Sequence, residues 1–307
     1  MITKYIWKNG KLISWDEATT HVLTHGLHYG AAVFEGIRCY NTQRGPAIFK
    51  LHEHIERFFY SAKQLGMKIP YKPDEISEAI IKILKVNHCE EAYIRPLAYY
   101  GYGSMKVTPM PDLPVDVIIA CWPWGDYLPV KAVDVMTSAY IRIHPKSTIA
   151  DAKISGHYVN SILAGIALRN THYHEALLLD AEGFVAEGSA ENIFIVKNKK
   201  IITPPEGTIL VGITRKAIME IAYGLGFSVE ERRFTVKEIY QADEAFFSGT
   251  AVEVTAIRSL DDHLIAEGAI GPVTEKIKQC YHQWVHGLLP DFDAGLSYIM
   301  SKRKLSI

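Results

Sequence analysis

Lys153 is the residue of this chain whose position best suits covalent chemistry. It lies among small and polar residues in the segment Asp151-Ala-Lys-Ile-Ser-Gly-His-Tyr158. Apolar residues then recur at i, i+3, i+4 and i+7, which predicts one face of a helix that begins directly after this segment. These residues are Val159, Ile162, Leu163 and Ile166. A lysine amine held at such a junction attacks carbonyl carbons when its neutral form is favoured, although a lysine taken alone is most often a solvated surface residue.

Three short motifs follow Lys153 along the chain, and the first two are predicted to lie on strands joined by tight turns. They are Leu179-Asp-x-x-Gly183, Glu187-Gly-x-x-Glu191-Asn192 and Gly212-Ile-Thr-Arg215. Together with the lysine and the Gly-x-Tyr that follows it, they resemble the fold type IV pyridoxal-phosphate enzymes. Within that family the chain looks like the branched-chain amino acid aminotransferases, and the resemblance runs from Trp7 to the last predicted helix.

The resemblance implies a fold, a cofactor and a reaction. The fold would be α/β (α+β), with the two-domain fold type IV architecture that the D-amino acid aminotransferases share. The cofactor would be pyridoxal 5'-phosphate, and the reaction a reversible transfer of the amino group between L-leucine, L-isoleucine or L-valine and 2-oxoglutarate. The partners would be small amino acid and 2-oxo acid substrates, together with further copies of the chain in a homodimer or a larger homo-oligomer.

The resemblance also implies which residues would hold the cofactor. Lys153 would form the Schiff base and act as the catalytic residue that moves the substrate proton. Tyr158 would reach the ring hydroxyl, and Glu187 would keep the pyridine nitrogen protonated. Four residues would bind the phosphate: Arg57, Ile213, Thr214 and Thr250. The free N–H groups at a predicted helix start also form an anion site, but glycine and threonine are equally ordinary capping residues there.

Two of these assignments depend on the family pattern more than on local spacing. Arg57 lies off the apolar stripe of its predicted helix, which by itself favours a solvated side chain. Glu191 is the rival of Glu187, because alternation along one strand would place both side chains on the same face. Their spacing leaves this choice open, and the order of the family motif favours Glu187.

Tyr93-Ile-Arg95 is the local feature that best separates the branches of the family. Alternation on a strand places both side chains on one face, where they form a reasonable receptor for a carboxylate. In the D-amino acid aminotransferases an Arg-x-His pattern stands at this place. The residues expected to contact the substrate are Tyr29, Phe34, Arg38, Tyr93, Arg95, Met105, Val107, Trp124, Tyr127, Thr250 and Ala251. By resemblance, the loop with Met105 and Val107 would reach the active site of the neighbouring subunit.

The sequence predicts two domains. A small α/β domain would comprise residues 1–126, an interdomain loop residues 127–132, and a large α/β domain residues 133–307. The aromatic and proline-rich composition around Trp124 marks the boundary. The large domain would carry the Schiff-base lysine.

Several elements of these domains are predicted from local patterns. Asn9-Gly10 between two short apolar runs indicates a hairpin. Helices are predicted from Leu51 and from about Glu75, and the apolar run Val115–Trp122 indicates a strand in the centre of a sheet. Gly271-Pro272 indicates the start of the last long helix.

The composition argues against several classes of protein. The chain has 307 residues, of which 48% are hydrophobic and 22% charged, as in ordinary globular proteins. The net charge is −1 and no basic run occurs, which argues against nucleic-acid binding. No window approaches the ~18 apolar residues of a membrane span, and the N-terminus lacks the pattern of a signal peptide. A cytoplasmic protein is expected.

No metal site is expected either. Three histidines stand at spacings of four and three from His21 to His28, but no carboxylate or cysteine completes a ligand set. The segment from His52 to Glu56 lacks the second histidine of an H-E-x-x-H site. The four cysteines are far apart and show no C-x-x-C spacing, which predicts reduced thiols. They are Cys39, Cys89, Cys121 and Cys280.

Two other functions compete with this one. Another fold type IV enzyme, such as a D-amino acid or amine aminotransferase or an aminodeoxychorismate lyase, would keep Lys153 and Glu187 and differ at Tyr93 and Arg95. A non-catalytic binding or scaffold protein with the same fold would bind no chromophore. It does not account for the lysine, the glutamate and the phosphate motifs occurring together.

Overall fold

The computed structural model describes residues 3–124 and 130–299, without the side chains of residues 290–292. The described residues form mixed helix and sheet structure, which confirms the α/β (α+β) class expected from the sequence. Tyr127 and the first part of the predicted interdomain loop lie outside the described residues. The position of the domain boundary therefore stays a prediction.

Seventeen strands run through the described residues. In chain order they are β1 Tyr5–Lys8, β2 Lys11–Ser14, β3 Ala32–Phe34, β4 Ile37–Tyr40, β5 Ala47–Phe49, β6 Ala92–Tyr100, β7 Val115–Pro123, β8 Ala132–Thr137, β9 Glu175–Leu179, β10 Val185–Gly188, β11 Asn192–Lys197, β12 Lys200–Thr203, β13 Ser228–Glu231, β14 Glu244–Gly249, β15 Glu253–Leu260, β16 His263–Leu264 and β17 Leu296–Tyr298.

Seven α-helices accompany the strands in the same part of the chain. They are α1 His25–Tyr29, α2 Leu51–Gln64, α3 Pro73–Val86, α4 Tyr158–Ala167, α5 Ile213–Gly224, α6 Val236–Tyr240 and α7 Pro272–Val285. Short 3-10 turns occupy Ser155–His157, Ala266–Gly268 and Pro290–Gly295. Among these helices none is both long and apolar enough to cross a membrane.

The first sheet has eight strands in the order β17-β5-β4-β6-β7-β1-β2, with β3 also paired to β6. Its pairs are antiparallel. The hairpin predicted at Asn9-Gly10 joins β1 to β2, and both turn residues take the positive φ that a tight hairpin turn requires, 47° and 86°. The predicted central strand is β7, which lies between β6 and β1. Apolar residues of α2 and α3, such as Phe58 and Ile80, share a core with this sheet.

The second sheet has nine strands in the order β10-β9-β8-β15-β14-β11-β12-β13, with β16 paired to β15. Three of its pairs are parallel, namely β8 with β9, β8 with β15 and β12 with β13. Its core contains Val133, Phe234 and Phe247. Helix α5 buries Ile218 and Ile221.

The described chain divides into two compact units. The first consists of the described parts of Met1–Gly125, Ala152–Gly156 and Gln283–Ile307, and the second of the described parts of Asp126–Asp151 and His157–His282. Lys153 packs with the first unit, although the sequence assigned it to the large second domain. Long-range backbone contacts explain the difference, because Ile154 bridges Val33 and the N–H of Gly156 donates to the carbonyl of Gly30 at 3.1 Å.

Helix α4 follows the lysine segment as predicted, but its apolar face is not packed within the described chain. The four residues of that face are 57%, 57%, 38% and 43% exposed: Val159, Ile162, Leu163 and Ile166. Ala164 lies on the buried side and packs with Ala176 and Leu178 of β9. The apolar period predicted the position of this helix correctly. However, the side chain that faces the sheet is the small Ala164, and the larger apolar residues do not face it.

Candidate active site

Lys153 is held by its backbone in the first unit. Its N–H donates to Ser61 Oγ at 2.9 Å, and its carbonyl oxygen accepts from the N–H of Phe34 at 3.2 Å. The side chain is half-buried, and Nζ lies 4.9 Å from the centroid of the Phe34 ring. These two backbone bonds fix the point from which the amine extends.

Phe34 connects Lys153 to the predicted carboxylate receptor. The guanidinium carbon of Arg95 lies 4.7 Å from the centroid of the Phe34 ring and 5.3 Å from that of Tyr93. Arg95 Nη2 lies 3.3 Å from the Tyr93 hydroxyl, and the Trp124 and Tyr93 rings are 4.5 Å apart. The structure therefore brings Lys153, Phe34, Arg95, Tyr93 and Trp124 into one chain of contacts on the first unit.

Two details of this chain of contacts indicate a binding surface. Arg95 Nε is buried and has no hydrogen-bond partner among the described residues, and buried donors are normally satisfied. A Cβ at Gly36 would lie 1.9 Å from the Tyr93 hydroxyl, so that only glycine leaves room for Tyr93 in this position.

Arg38 stands directly opposite Tyr93 in the β4–β6 pair and is bound to Glu91 at 3.3 Å.

Arg57, the predicted phosphate arginine, is held by a buried carboxylate that the sequence did not reveal. Its Nε and Nη2 donate to the two oxygens of Glu35 at 2.7 and 2.9 Å, and His54 Nδ1 lies 2.7 Å from Glu35 Oε2. The Glu35 side chain is fully buried, and that of Arg57 is 13% exposed. This bidentate pair fixes the plane of the guanidinium.

The electrostatics of this cluster follow from burial and charge together. Burial would by itself raise the pKa of Glu35, but Arg57 and then His54 outweigh burial and hold that pKa far below its usual range. Burial lowers the pKa of His54, and the Glu35 carboxylate opposes that shift. Glu35 is therefore a carboxylate, and the cluster is a charged pair with a histidine donor.

Replacement of Glu35 by glutamine is expected to destabilise the protein by about 3–5 kcal/mol, because it leaves the buried guanidinium without its countercharge. Urea unfolding near neutral pH measures this free energy. The matched control is Glu56→Gln on α2, the helix that carries Arg57, where the carboxylate is 66% exposed and lies 3.2 Å from His52. The control should change the free energy of unfolding by less than about 1 kcal/mol.

The effect of this replacement should depend on pH with a defined sign. Because the folded-state pKa of Glu35 is lowered, its contribution is present above the unfolded pKa of about 4.3 and is lost progressively below it. The difference in stability between wild type and Glu35→Gln should therefore narrow in acid. A difference that stays constant from about pH 7 to about pH 3 would contradict the assignment of Glu35 as a buried carboxylate.

Tyr29, Met105 and Val107 form a second cluster on the first unit. The Tyr29 hydroxyl donates to the carbonyl of Met105 at 2.9 Å. The Met105 and Val107 side chains are 38% and 72% exposed. The predicted substrate residues of the glycine-rich loop are thus tied to α1, which ends at Tyr29.

Glu187 lies in β10 of the second unit and is almost completely buried. Its Oε1 accepts a short hydrogen bond from Arg142 Nε, and Arg142 Nη2 also donates to the carbonyl of Ala150 at 3.0 Å. Its Oε2 accepts from Asn192 Nδ2 and from the N–H of Leu210, both at 3.1 Å. A guanidinium and two N–H donors around one carboxylate favour its ionised form.

Asn192 joins this carboxylate to the start of α5. Besides Glu187, its Nδ2 donates to the carbonyl of Leu210 at 2.9 Å. A Cβ at Gly212 would lie 2.0 Å from Asn192 Oδ1, so that glycine is required at this helix start. Gly212 is extended, and no side chain caps the helix, whose first residues Ile213 and Thr214 are buried. A twelve-residue helix that begins in this way presents N–H groups and a positive dipole end to an anion.

The remaining predicted residues of the second unit lie at element ends. Tyr158 is the first residue of α4, and Thr250 and Ala251 form the turn between β14 and β15; all three are half-buried. Glu191 is not on the strand of Glu187 but in the following turn, where its Oε2 accepts from the N–H of Ala190 at 3.0 Å. Because Glu191 is not on a strand, the alternation of side chains along one strand does not place the two glutamates on the same face.

Among the residues that contact predicted site residues and were missed are Glu35, Arg142 and Asn192. The Glu-Asn motif was a signal for Asn192, whereas no local pattern singles out Glu35 or Arg142. In the described part of the chain no group of three or more histidines, cysteines and carboxylates is arranged to hold a metal ion.

Comparisons with known proteins agree with these features. The family model for amino-transferase class IV matches residues 32–260. The branched-chain-amino-acid aminotransferase of Pseudomonas aeruginosa is 48% identical over 286 residues, which cover 92% of this chain and 93% of that relative.

Two similar solved structures are those of the T.th. branched-chain amino acid aminotransferase with N-(5'-phosphopyridoxyl)-L-glutamate and with pyridoxamine 5'-phosphate. Each has a TM-score of 0.95 and 43% sequence identity, and each match covers 98% of this chain and 100% of the other. The chain therefore belongs to the class IV aminotransferase family and, within it, to the branched-chain-amino-acid aminotransferases.

Proposed function

We propose that the protein is a pyridoxal-phosphate-dependent aminotransferase that moves the amino group reversibly between L-leucine, L-isoleucine or L-valine and 2-oxoglutarate. The observation that carries this proposal is the chain of contacts from Lys153 through Phe34 to Arg95. It places an amine, an apolar ring and a guanidinium in succession. A branched-chain amino acid presents an apolar side chain to such a surface, and glutamate presents a second carboxylate for Arg95. The names of the similar proteins support the same reaction.

The donor set of the chain fits pyridoxal 5'-phosphate, which when bound supplies the electron sink of the reaction. Lys153 would hold the cofactor covalently until the substrate amine takes its place, and its freed Nζ would then accept the proton that leaves the substrate Cα. Glu187 provides the negative charge for the pyridine nitrogen, and its ion pair with Arg142 supports the ionised state that this role needs. Tyr158 binds the ring hydroxyl.

The phosphate is assigned to groups that suit an anion. The uncapped start of α5 offers the N–H groups of Ile213 and Thr214. Thr250 adds a hydroxyl from the β14–β15 turn. Arg57 adds a guanidinium whose plane is fixed by Glu35.

The substrate is assigned to the remaining predicted residues. They are Tyr29, Phe34, Arg38, Tyr93, Arg95, Met105, Val107, Trp124, Tyr127, Thr250 and Ala251. The contact between Tyr93 and Arg95 favours the branched-chain reaction over that of a D-amino acid aminotransferase, since both side chains lie on one strand face and can share a carboxylate.

The visible absorption spectrum of the purified protein tests this proposal. Addition of L-leucine should bleach the band of the lysine-bound cofactor, and 2-oxoglutarate should restore it. D-alanine should leave the band unchanged. Bleaching by D-alanine alone would move the function to the D-amino acid branch, and the absence of a band after addition of pyridoxal phosphate would refute a cofactor-dependent function.

We also propose that the protein acts as a homodimer or a larger homo-oligomer. The exposed apolar face of α4 supports this proposal, because soluble proteins rarely leave four large apolar side chains of one helix face in water. A second copy of the chain is the partner that symmetric assembly most often provides for such a face.

A glutamate at Ile162 should weaken this assembly, because it places a charge in the centre of the α4 apolar face. Sedimentation velocity should show a loss of the dimer or larger species in favour of the monomer. The matched control is Tyr223→Glu on α5, since Tyr223 and Ile162 are both 57% exposed. Equal assembly of wild type and Ile162→Glu would contradict a role of this face.

We propose a cytoplasmic location. Cys39, Cys89, Cys121 and Cys280 are free thiols, which suits a reducing compartment.

A further inference from the structure

Helix α1 binds three successive peptide carbonyls of the glycine-rich loop. His25 Nε2 lies 3.0 Å from the carbonyl oxygen of Lys106 and 3.2 Å from that of Val107. Tyr29, four residues later on the helix, donates its hydroxyl to the carbonyl of Met105 at 2.9 Å. The two rings are 4.8 Å apart, as neighbours on one helix face. The loop is therefore held from one side by a pair of aromatic donors.

The protonation of His25 follows from its partners. Carbonyl oxygens only accept hydrogen bonds, so Nε2 must carry the proton that the ring shares between Lys106 and Val107. Nδ1 is buried and has no partner among the described residues. A proton on Nδ1 would be a buried, unsatisfied donor, which is unfavourable. Nε2 is thus assigned as the donor of the ring toward the two carbonyls.

The backbone of His25 holds the same loop at its beginning. Its N–H donates to the carbonyl of Gly101 at 3.1 Å. The loop that follows Gly101 has no helix or strand before β7, so it depends on such contacts for its conformation. His25 is only 1% exposed, and a buried polar residue with three loop carbonyls as partners is well placed to set that conformation.

We infer that His25 is a positioning residue for substrate binding, which holds the carbonyls of Lys106 and Val107 on α1 and so presents the side chains of Met105 and Val107. This inference rests on the proposed function, in which Met105 and Val107 contact the substrate. Binding to a loop that is already ordered avoids the cost of ordering it on association. Loss of the His25 bonds should therefore weaken substrate binding and leave the chemistry at Lys153 intact.

The test compares His25→Ala and His25→Gln in the cofactor-loaded enzyme. For His25→Ala we expect KM for L-leucine to rise about tenfold, while kcat changes less than about threefold. Amide hydrogen exchange should become faster in residues 101–108, and the cofactor band should remain. His25→Gln keeps an N–H donor on a side chain of similar reach and should recover much of the lost affinity. The control is His28→Ala. In the described part of the chain, the exposed His28 ring has one hydrogen bond, from Nε2 to the carbonyl of Val22 at 2.8 Å.

The outcomes separate this role from others. Unchanged KM and unchanged loop exchange in His25→Ala would overturn the inference, as would a parallel loss of kcat, cofactor band and thermal stability. If His25→Ala does not fold, amide hydrogen exchange of the loop is measured in His25→Gln and in Tyr29→Phe, which removes only the bond to Met105. Unchanged exchange in both variants would then overturn the inference. If the wild type does not react with L-leucine, the proposed function fails, whereas loop exchange in the variants still reports on the contact between α1 and the loop.

Discussion

Replacement of Lys153 by alanine is expected to lower the rate of L-leucine transamination by at least about 10³-fold, because Lys153 is proposed to supply both the covalent link to the cofactor and the base that moves the Cα proton. The backbone of residue 153 should stay in place, since its bonds to Ser61 and Phe34 do not involve the side chain. The measurement combines steady-state kinetics with the visible spectrum of the protein reconstituted with pyridoxal phosphate. The band of the lysine-bound cofactor should be absent.

The matched control for this variant is Lys146→Ala, an exposed lysine seven positions earlier in the chain. It should retain wild-type turnover and spectrum. A small primary amine added to Lys153→Ala should restore part of the activity, because it can accept the Cα proton in place of the missing side chain. Wild-type activity of Lys153→Ala would refute the assignment of Lys153.

Local sequence signals predicted the elements whose formation depends on neighbouring residues. The Asn9-Gly10 turn, the helices α2 and α3, the start of α7 at Pro272 and the central strand β7 were all identified in this way. Each of these signals lies within one turn or one element, so no knowledge of the rest of the fold was needed. The motifs around Lys153 and Gly212 predicted which residues next to the starts of α4 and α5 would bind the cofactor.

Contacts between distant segments could not be predicted in the same way. Glu35 and Arg57 are 22 residues apart, and Arg142 and Glu187 are 45 apart. These pairs form because the sheets bring unrelated segments together, and charge alone does not select one carboxylate among many. The same limit explains the apolar face of α4, since periodicity identifies a face but not whether the chain itself or a partner covers it.

Replacement of Glu187 by glutamine is expected to lower kcat by about 10²- to 10³-fold, because it removes the negative charge that is proposed to keep the pyridine nitrogen protonated. The amide would also turn an N–H group toward one of the donors that now surround the carboxylate, namely Arg142, Asn192 and the N–H of Leu210. Lys153 is unaffected, so the cofactor should remain covalently bound and the band should persist with a changed position. Glu187→Asp keeps the charge and should lose less activity.

Glu191→Gln is the decisive control, because it tests the glutamate that spacing alone could not exclude. Glu191 is also buried, but its Oε2 accepts from the N–H of Ala190 within its own turn. Glutamine keeps a carbonyl oxygen for this bond, so activity should stay within about threefold of wild type. If Glu191→Gln lost activity 10²-fold or more while Glu187→Gln stayed active, the charge near the pyridine nitrogen would belong to Glu191, and the contacts of Arg142 and Asn192 with Glu187 would be structural.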